Sequence, residues 1–171
     1  MPIQRLNHAV LFVRNVERSV KFYTDVLGFT TTMRMGTSAA FLQAGASNND
    51  HDLALFQLGD SAGPSEAGRR TVGLYHLAWE VETLADLAET AETLSAANAL
   101  VGASDHGTTK SLYGKDPDGL EFEIVWLIPL HLLDDAALDA ATRIAPLNLQ
   151  AEMDRYGAHT LSGVGVSSTQ E

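Results

Sequence analysis

The chain has 171 residues, with 11 Lys plus Arg against 22 Asp plus Glu, and no cysteine. A net charge of −11 offers no basic footprint for phosphates, so neither nucleic acid nor an anionic membrane is an expected partner. Without cysteine, disulfide frameworks, thiolate metal sites and cysteine nucleophiles are excluded, and a metal site must use nitrogen and oxygen donors.

No apolar run reaches the roughly 18 residues of a membrane span. The start, MPIQRLNHAVLFV, lacks a signal-peptide cleavage pattern, so the expected location is cytoplasmic.

In chain order, residues 6–13 are apolar on both faces and read as a buried strand. Asn15 offers an N-cap, and Val16, Val20, Tyr23 and Leu27 recur at helical spacing until Gly28. Three strand-like runs follow at 29–35, 39–43 and 52–58, the last two separated by a polar turn at 45–49.

Residues 61–71 are rich in Gly, Ser and Pro and read as a linker. The pattern then restarts at residues 74–81. Thr83 and Asp86 make a capping-box start, and Leu84, Leu87, Ala91 and Leu94 form one helical stripe. Extended runs follow around Leu100, at 110–115 and at 120–127.

The chain therefore contains an internal repeat of about 68 residues, registered by His8 and His76. It divides into a first module at 1–60, the linker at 61–71, a second module at 72–128 and a C-terminal extension at 129–171. In the extension, 134–144 and 147–156 look helical around Pro146, and the end from 157 on is expected to fray. Its apolar residues, Leu132, Leu133, Leu138, Ile144, Leu147 and Leu149, seek burial. The expected destination is a second copy, giving a homo-oligomer such as a dimer; the alternative is folding back on the chain's own sheet.

Two of the six histidines occupy equivalent places, each the third residue of a Leu-x-His run that opens a module. After the turn formed by Asp116, Pro117, Asp118 and Gly119, alternation puts Leu120, Phe122, Ile124 and Trp126 on one face. Glu121, Glu123 and Val125 share the other. Read alone, a strand histidine is more often a core residue than a ligand, and such a strand can simply be amphipathic and solvated.

Taken together, these residues resemble the vicinal oxygen chelate superfamily of glyoxalases, extradiol dioxygenases, and bleomycin- and fosfomycin-resistance proteins. The resemblance covers residues 1–128. It implies an α+β fold in which two βαβββ modules pair into a cup-shaped incomplete barrel, here with a helical C-terminal tail. It also implies that His8, His76 and Glu123 are the metal ligands. Two histidines and a carboxylate form a facial triad suited to Fe(II), with Mn(II) as the alternative.

Three further residues are similar to those of small extradiol, catechol-2,3-dioxygenase-like enzymes: His51 in an His-Asp strand, His106, and Tyr113 ahead of the Asp-Pro-Asp-Gly turn. The resemblance implies ring cleavage of a catechol-like aromatic with O2. His51 would be the acid/base group, Tyr113 would hold a catecholate oxygen, and His106 would assist deprotonation. Alternation from His51 puts Leu53 and Leu55 beside it, in a cup expected also to include Val10, Phe12 and Val125.

One departure is Leu120, where the family often has Asn after the turn. The competing readings are a glyoxalase-type isomerase or lyase, which wants a second carboxylate near the end of module one, and a metal-free binder of bleomycin-like drugs.

Overall fold

Asn15 ends the first strand and starts the first helix. Its backbone is extended, and its side-chain oxygen accepts from Arg18 N at 2.9 Å. The computed structural model describes residues 2–67 and 70–163; the end of the expected frayed tail (164–171) and linker residues 68–69 lie outside the described residues. The chain divides into two units. The first is Met1–Glu66 with Asp116–Leu120, and the second is Ala67–Lys115 with Glu121–Glu171.

In the first unit, β1 (Ala9–Val13), α1 (Val16–Asp25), β2 (Thr30–Met35), β3 (Ala39–Gln43) and β4 (Leu53–Gln57) follow one another. The sheet order is β1-β4-β3-β2, with β1 parallel to β4 and the other pairs antiparallel. Ladder partners share a face, so Leu11, Val13, Ala40, Leu42, Leu53 and Leu55 all point to one side. That side is buried, and α1, through Val16, Val20 and Tyr23, packs on the sheet. Val10, Phe12, Met33 and Met35 on the opposite side are exposed.

The expected cup lining is corrected here. Leu53 and Leu55 are both 0% exposed in the core and do not share a face with Val10 and Phe12. The ladder begins only at Leu53, so the alternation does not run back through Asp52 to His51. The Asp52 carboxylate is instead tied into the preceding turn by Ala44 N, Ser47 Oγ and Asn49 Nδ2.

The second unit repeats the topology. It comprises β5 (His76–Glu80), α2 (Leu84–Ala96), β6 (Leu100–Asp105), β7 (Thr109–Lys115) and β8 (Glu121–Leu127), in the order β5-β8-β7-β6. Even the irregularity recurs, since the register slips once near the start of β2 and once near the start of β6. Thr83 and Asp86 form the reciprocal capping box of α2, and Leu84, Leu87 and Leu94 are fully buried. Along β8, Phe122, Ile124 and Trp126 are buried, while Glu121, Glu123 and Val125 alternate with them, as the sequence pattern predicts. Truncating such a core side chain to Ala costs about 3–5 kcal/mol for an aromatic.

The extension is not purely helical. A 3-10 turn at Leu130–Leu132 leads to α3 (Asp135–Ala140), which stops four residues short of the expected end. Pro146, expected to separate two helices, lies in β9 (Ala145–Pro146), which adds to the free edge of β6. Proline is tolerated there because an edge strand has one unpaired side. Helix α4 (Leu149–Tyr156) packs on α2. Beyond it, Thr160 O accepts from the indole of buried Trp126 at 3.1 Å, and Ser162 N donates to Glu82 O. The described part of the tail thus folds onto its own unit, although Leu138 and Ile144 stay exposed. No helix among the described residues is long and apolar enough to cross a membrane.

Candidate functional site

The β5-β8-β7 ladder sets out three of the candidate residues, His76, Tyr113 and Glu123. Ala78 and Tyr113 flank Glu123 as its register partners, and His76 opens β5 opposite Glu121. Because Phe122 and Ile124 anchor β8 in the core, Glu123 is turned to the other face, with its side chain 14% exposed.

Four side chains are joined in a row. His106 Nε2 lies 2.8 Å from the Tyr113 hydroxyl, and that hydroxyl donates to Glu123 Oε1 at 3.2 Å. On the other side, His76 Nε2 lies 3.1 Å from Glu123 Oε2. Since the Tyr113 proton goes to Glu123, its oxygen accepts from His106, which fixes the His106 proton on Nε2. Burial first, and then the Glu123 carboxylate, push the Tyr113 phenol above its ordinary range. The phenol therefore stays a hydrogen-bond donor at neutral pH.

In the first unit, His8 stands just ahead of β1 and His51 in the loop before β4. Their rings are 4.5 Å apart. His51 also meets Phe41 edge-on at 5.2 Å, and its Nδ1 lies 3.2 Å from Asp50. His8 Nδ1 is 2.8 Å from Asn7 Oδ1, an amide oxygen that can only accept. That bond puts the His8 proton on Nδ1 and leaves Nε2 with its lone pair free to bind.

The structure thus brings His8 to His51, and His76 to Glu123, Tyr113 and His106. Among the described residues, no group of three or more His, Asp or Glu is gathered as a metal centre. The donor chemistry nevertheless fits a divalent ion of intermediate hardness, which takes imidazole and carboxylate together. His76 and Glu123 already converge, and the buried Nδ1 of His76 has no partner. This imidazole is therefore not held by a bond at its second nitrogen.

Sequence reasoning overlooked three features. Tyr75 lies against His76 with its ring tilted, the centroids 4.8 Å apart. Buried Lys110 lies close to the His106 turn, a placement that strand alternation does not signal. The Asp-Pro-Asp-Gly segment, read only as a turn, is also an anchor. The Asp118 carboxylate accepts from Arg14 N and Arg14 Nη1, each at 2.9 Å, and from Arg18 Nη2 at 2.6 Å. Asp116 Oδ1 closes the turn by accepting from Asp118 N and Leu120 N, so Leu120 needs no side-chain amide. Gly119 takes the left-handed backbone there, with φ +81.

Comparison with known proteins adds an independent line. Residues 5–124 match the family described as "Glyoxalase/Bleomycin resistance protein/Dioxygenase superfamily". A catechol-2,3-dioxygenase of Bacillus subtilis (strain 168) is 28% identical over 120 residues, covering 70% of this chain and 40% of that protein. A manganese-dependent 2,3-dihydroxybiphenyl 1,2-dioxygenase of Geobacillus genomosp. 3 is 28% identical over 128 residues, covering 72% and 37%. The chain thus spans about two fifths of the length of these relatives.

Among solved structures, a glyoxylase/bleomycin resistance protein/dioxygenase domain from Frankia sp. EAN1pec aligns with TM-score 0.62 at 23% identity, covering 77% of this chain and 98% of that one. A lactoylglutathione lyase from Agrobacterium tumefaciens aligns with TM-score 0.56 at 19% identity, covering 73% and 95%. At these identities the structural likeness concerns the fold alone. The match over most of the chain, together with the repeated βαβββ topology, makes this protein a member of the glyoxalase/bleomycin resistance/dioxygenase superfamily.

Proposed function

We propose that the protein is an extradiol-type dioxygenase that cleaves a catechol-like aromatic with O2. The observation that carries this reading is the row His106–Tyr113–Glu123–His76, hydrogen-bonded through the Tyr113 hydroxyl and closed by the 3.1 Å approach of His76 Nε2 to Glu123. It joins two proton-handling groups to a carboxylate and an imidazole of the ligand set, which suits a substrate that must lose phenolic protons. In this reading His8, His76 and Glu123 hold a divalent ion, Fe(II) or alternatively Mn(II). Once bound, such an ion supplies the acidity that ionises a catechol and the proximity that brings it to O2.

The chain's own residues then have distinct tasks. The Tyr113 hydroxyl hydrogen-bonds a catechol oxygen, and His106 holds that hydroxyl in place. His51, next to His8, takes and returns a proton as the ring opens. The glyoxalase-type alternative needs a further carboxylate ligand at the end of the first module. Asp52 is occupied in its turn, and Gln57 accepts from Val16 N at the start of α1. Both are therefore engaged in structural bonds, which favours the dioxygenase reading.

The test is anaerobic reconstitution with Fe(II), and in parallel with Mn(II), followed by catechol or substituted catechols and O2. A yellow ring-opened product with matching O2 uptake is expected. Metal-loaded protein that consumes no O2 with any catechol, but isomerises a thiol adduct of a 2-oxoaldehyde, would replace this reading with the glyoxalase one.

A further inference from the structure

The turn that carries His106, between β6 and β7, is held by the C-terminal extension from three directions. The first is ionic. Lys110, at 1% exposure, pairs with Asp105 at 2.5 Å and with Glu152 of α4 at 3.1 Å, and lies over the Tyr156 ring at 5.9 Å. The same Asp105 oxygen accepts from Gly107 N at 2.8 Å, so this linkage brackets His106 on both sides.

The second hold is steric. Gly107 has φ +76, and a Cβ there would lie 2.5 Å from Ala137 O and 2.6 Å from Ala141 N. Helix α3 therefore sits directly on the glycine after His106. The third hold is the ladder, in which β9 pairs Ala145 with Asp105 and Pro146 with Ser104.

All three contacts come from residues 137–156, beyond the matched 5–124. A lysine so deeply buried is costly unless its charge is met, so the ion pairs hold their partners in a defined place. Lys110 and Tyr113 are three residues apart on β7, paired with Trp126 and Glu123 respectively, so the ion pairs lie on the face of the sheet opposite the hydroxyl that His106 reaches.

We propose that the C-terminal extension is a clamp that positions His106 against Tyr113, with Glu152 as its positioning residue. This rests on the reading of His106 as part of the catalytic proton network. The extension then tunes the relay without touching substrate.

The test compares full-length Glu152→Gln with the wild type. Lys110 keeps Asp105, so the variant retains a paired lysine. Amide hydrogen exchange at residues 105–110 is expected to rise about tenfold, from the loss of one of the two ion pairs of a buried lysine, while α1 amides are unchanged. The His106 ring N–H signal in 15N NMR is expected to broaden away. On a catechol that the wild type cleaves, kcat should fall about tenfold at unchanged KM and metal content, with partial recovery in Glu152→Asp.

Tyr156→Leu, which removes the ring beneath Lys110, should loosen the same amides. If both variants keep wild-type exchange and the His106 signal, there is no clamp. If the turn loosens but kcat holds, the positioning role is wrong. A wild type that cleaves no catechol defeats the dioxygenase reading, while exchange and the ring signal still decide the clamp.

Discussion

Tyr113 and Glu123 are register partners across the β7–β8 ladder, and the Tyr113 hydroxyl donates to Glu123 Oε1 at 3.2 Å. A slip of one residue would turn Glu123 into the core and Phe122 out of it. The contact is therefore secured by buried residues that have no part in the chemistry, above all Phe122, Ile124 and Trp126.

Replacing Glu123 by Ala should abolish tight metal binding while keeping the fold. Its side chain lies on the face opposite the core, and its removal leaves His76 and Tyr113 able to meet water. Metal content after dialysis should fall to background, with an affinity loss of at least about 100-fold, larger than the loss of an outer-shell partner. The thermal midpoint of the metal-free protein should barely change. Retention of the metal would show that Glu123 is not a ligand.

Tyr113→Phe removes one hydroxyl and breaks both of its hydrogen bonds at once. Metal binding should survive. Turnover of a catechol should fall by about tenfold, as expected for a group that supports proton transfer without carrying the main step. His106→Ala should give a similar loss, and the double variant should add little, because both changes break the same row. Fully additive losses would mean that His106 and Tyr113 act separately.

His51→Phe should have the largest effect of the acid/base variants. The Phe ring can keep the edge-on contact that His51 makes with Phe41, so the loop should hold. The metal should remain, since His51 is not among the proposed ligands. Turnover should drop by about 10²–10⁴-fold, the usual contribution of a general acid or base. Unchanged turnover on a catechol that the wild type cleaves would remove His51 from the mechanism.

Much of this arrangement is written in periodicity. The alternation of Phe122, Ile124 and Trp126 with Glu121, Glu123 and Val125 has one stable placement on a half-buried strand, and the structure adopts it. The Thr83–Asp86 box and the Asn15 cap are local signals and appear where the residues stand. Periodicity misleads at His51, because Asp52 is drawn into a side-chain network and the ladder starts one residue later. It is silent on β9, a two-residue strand made by pairing with β6 rather than by its own composition. The Asp118 anchor is equally invisible, since its partners Arg14 and Arg18 are about 100 residues away in sequence.

That anchor gives the last prediction, which contrasts two aspartates of one turn. Asp118 is met by both arginines, so Asp118→Ala should destabilise the protein by about 2 kcal/mol, the scale for losing charge-assisted hydrogen bonds. Asp116 is the opposite case. Burial, its largest influence, pushes its carboxyl above the usual 3.8. A raised folded-state pKa means that the folded protein holds its proton more tightly than the unfolded chain does. The resulting stabilisation is fully present below the unfolded value and is lost as pH rises through the raised one. Asp116→Asn removes this titration. Its carbonyl can still accept from Asp118 N and Leu120 N, and its amide can donate to the Tyr23 hydroxyl oxygen that now faces Asp116 Oδ2 at 3.4 Å. Urea midpoints measured from below pH 4 up to pH 7 should therefore move in favour of Asp116→Asn as pH rises, then level off. A gap between variant and wild type that stays constant across this range, or narrows, would show that the buried carboxyl carries no such penalty.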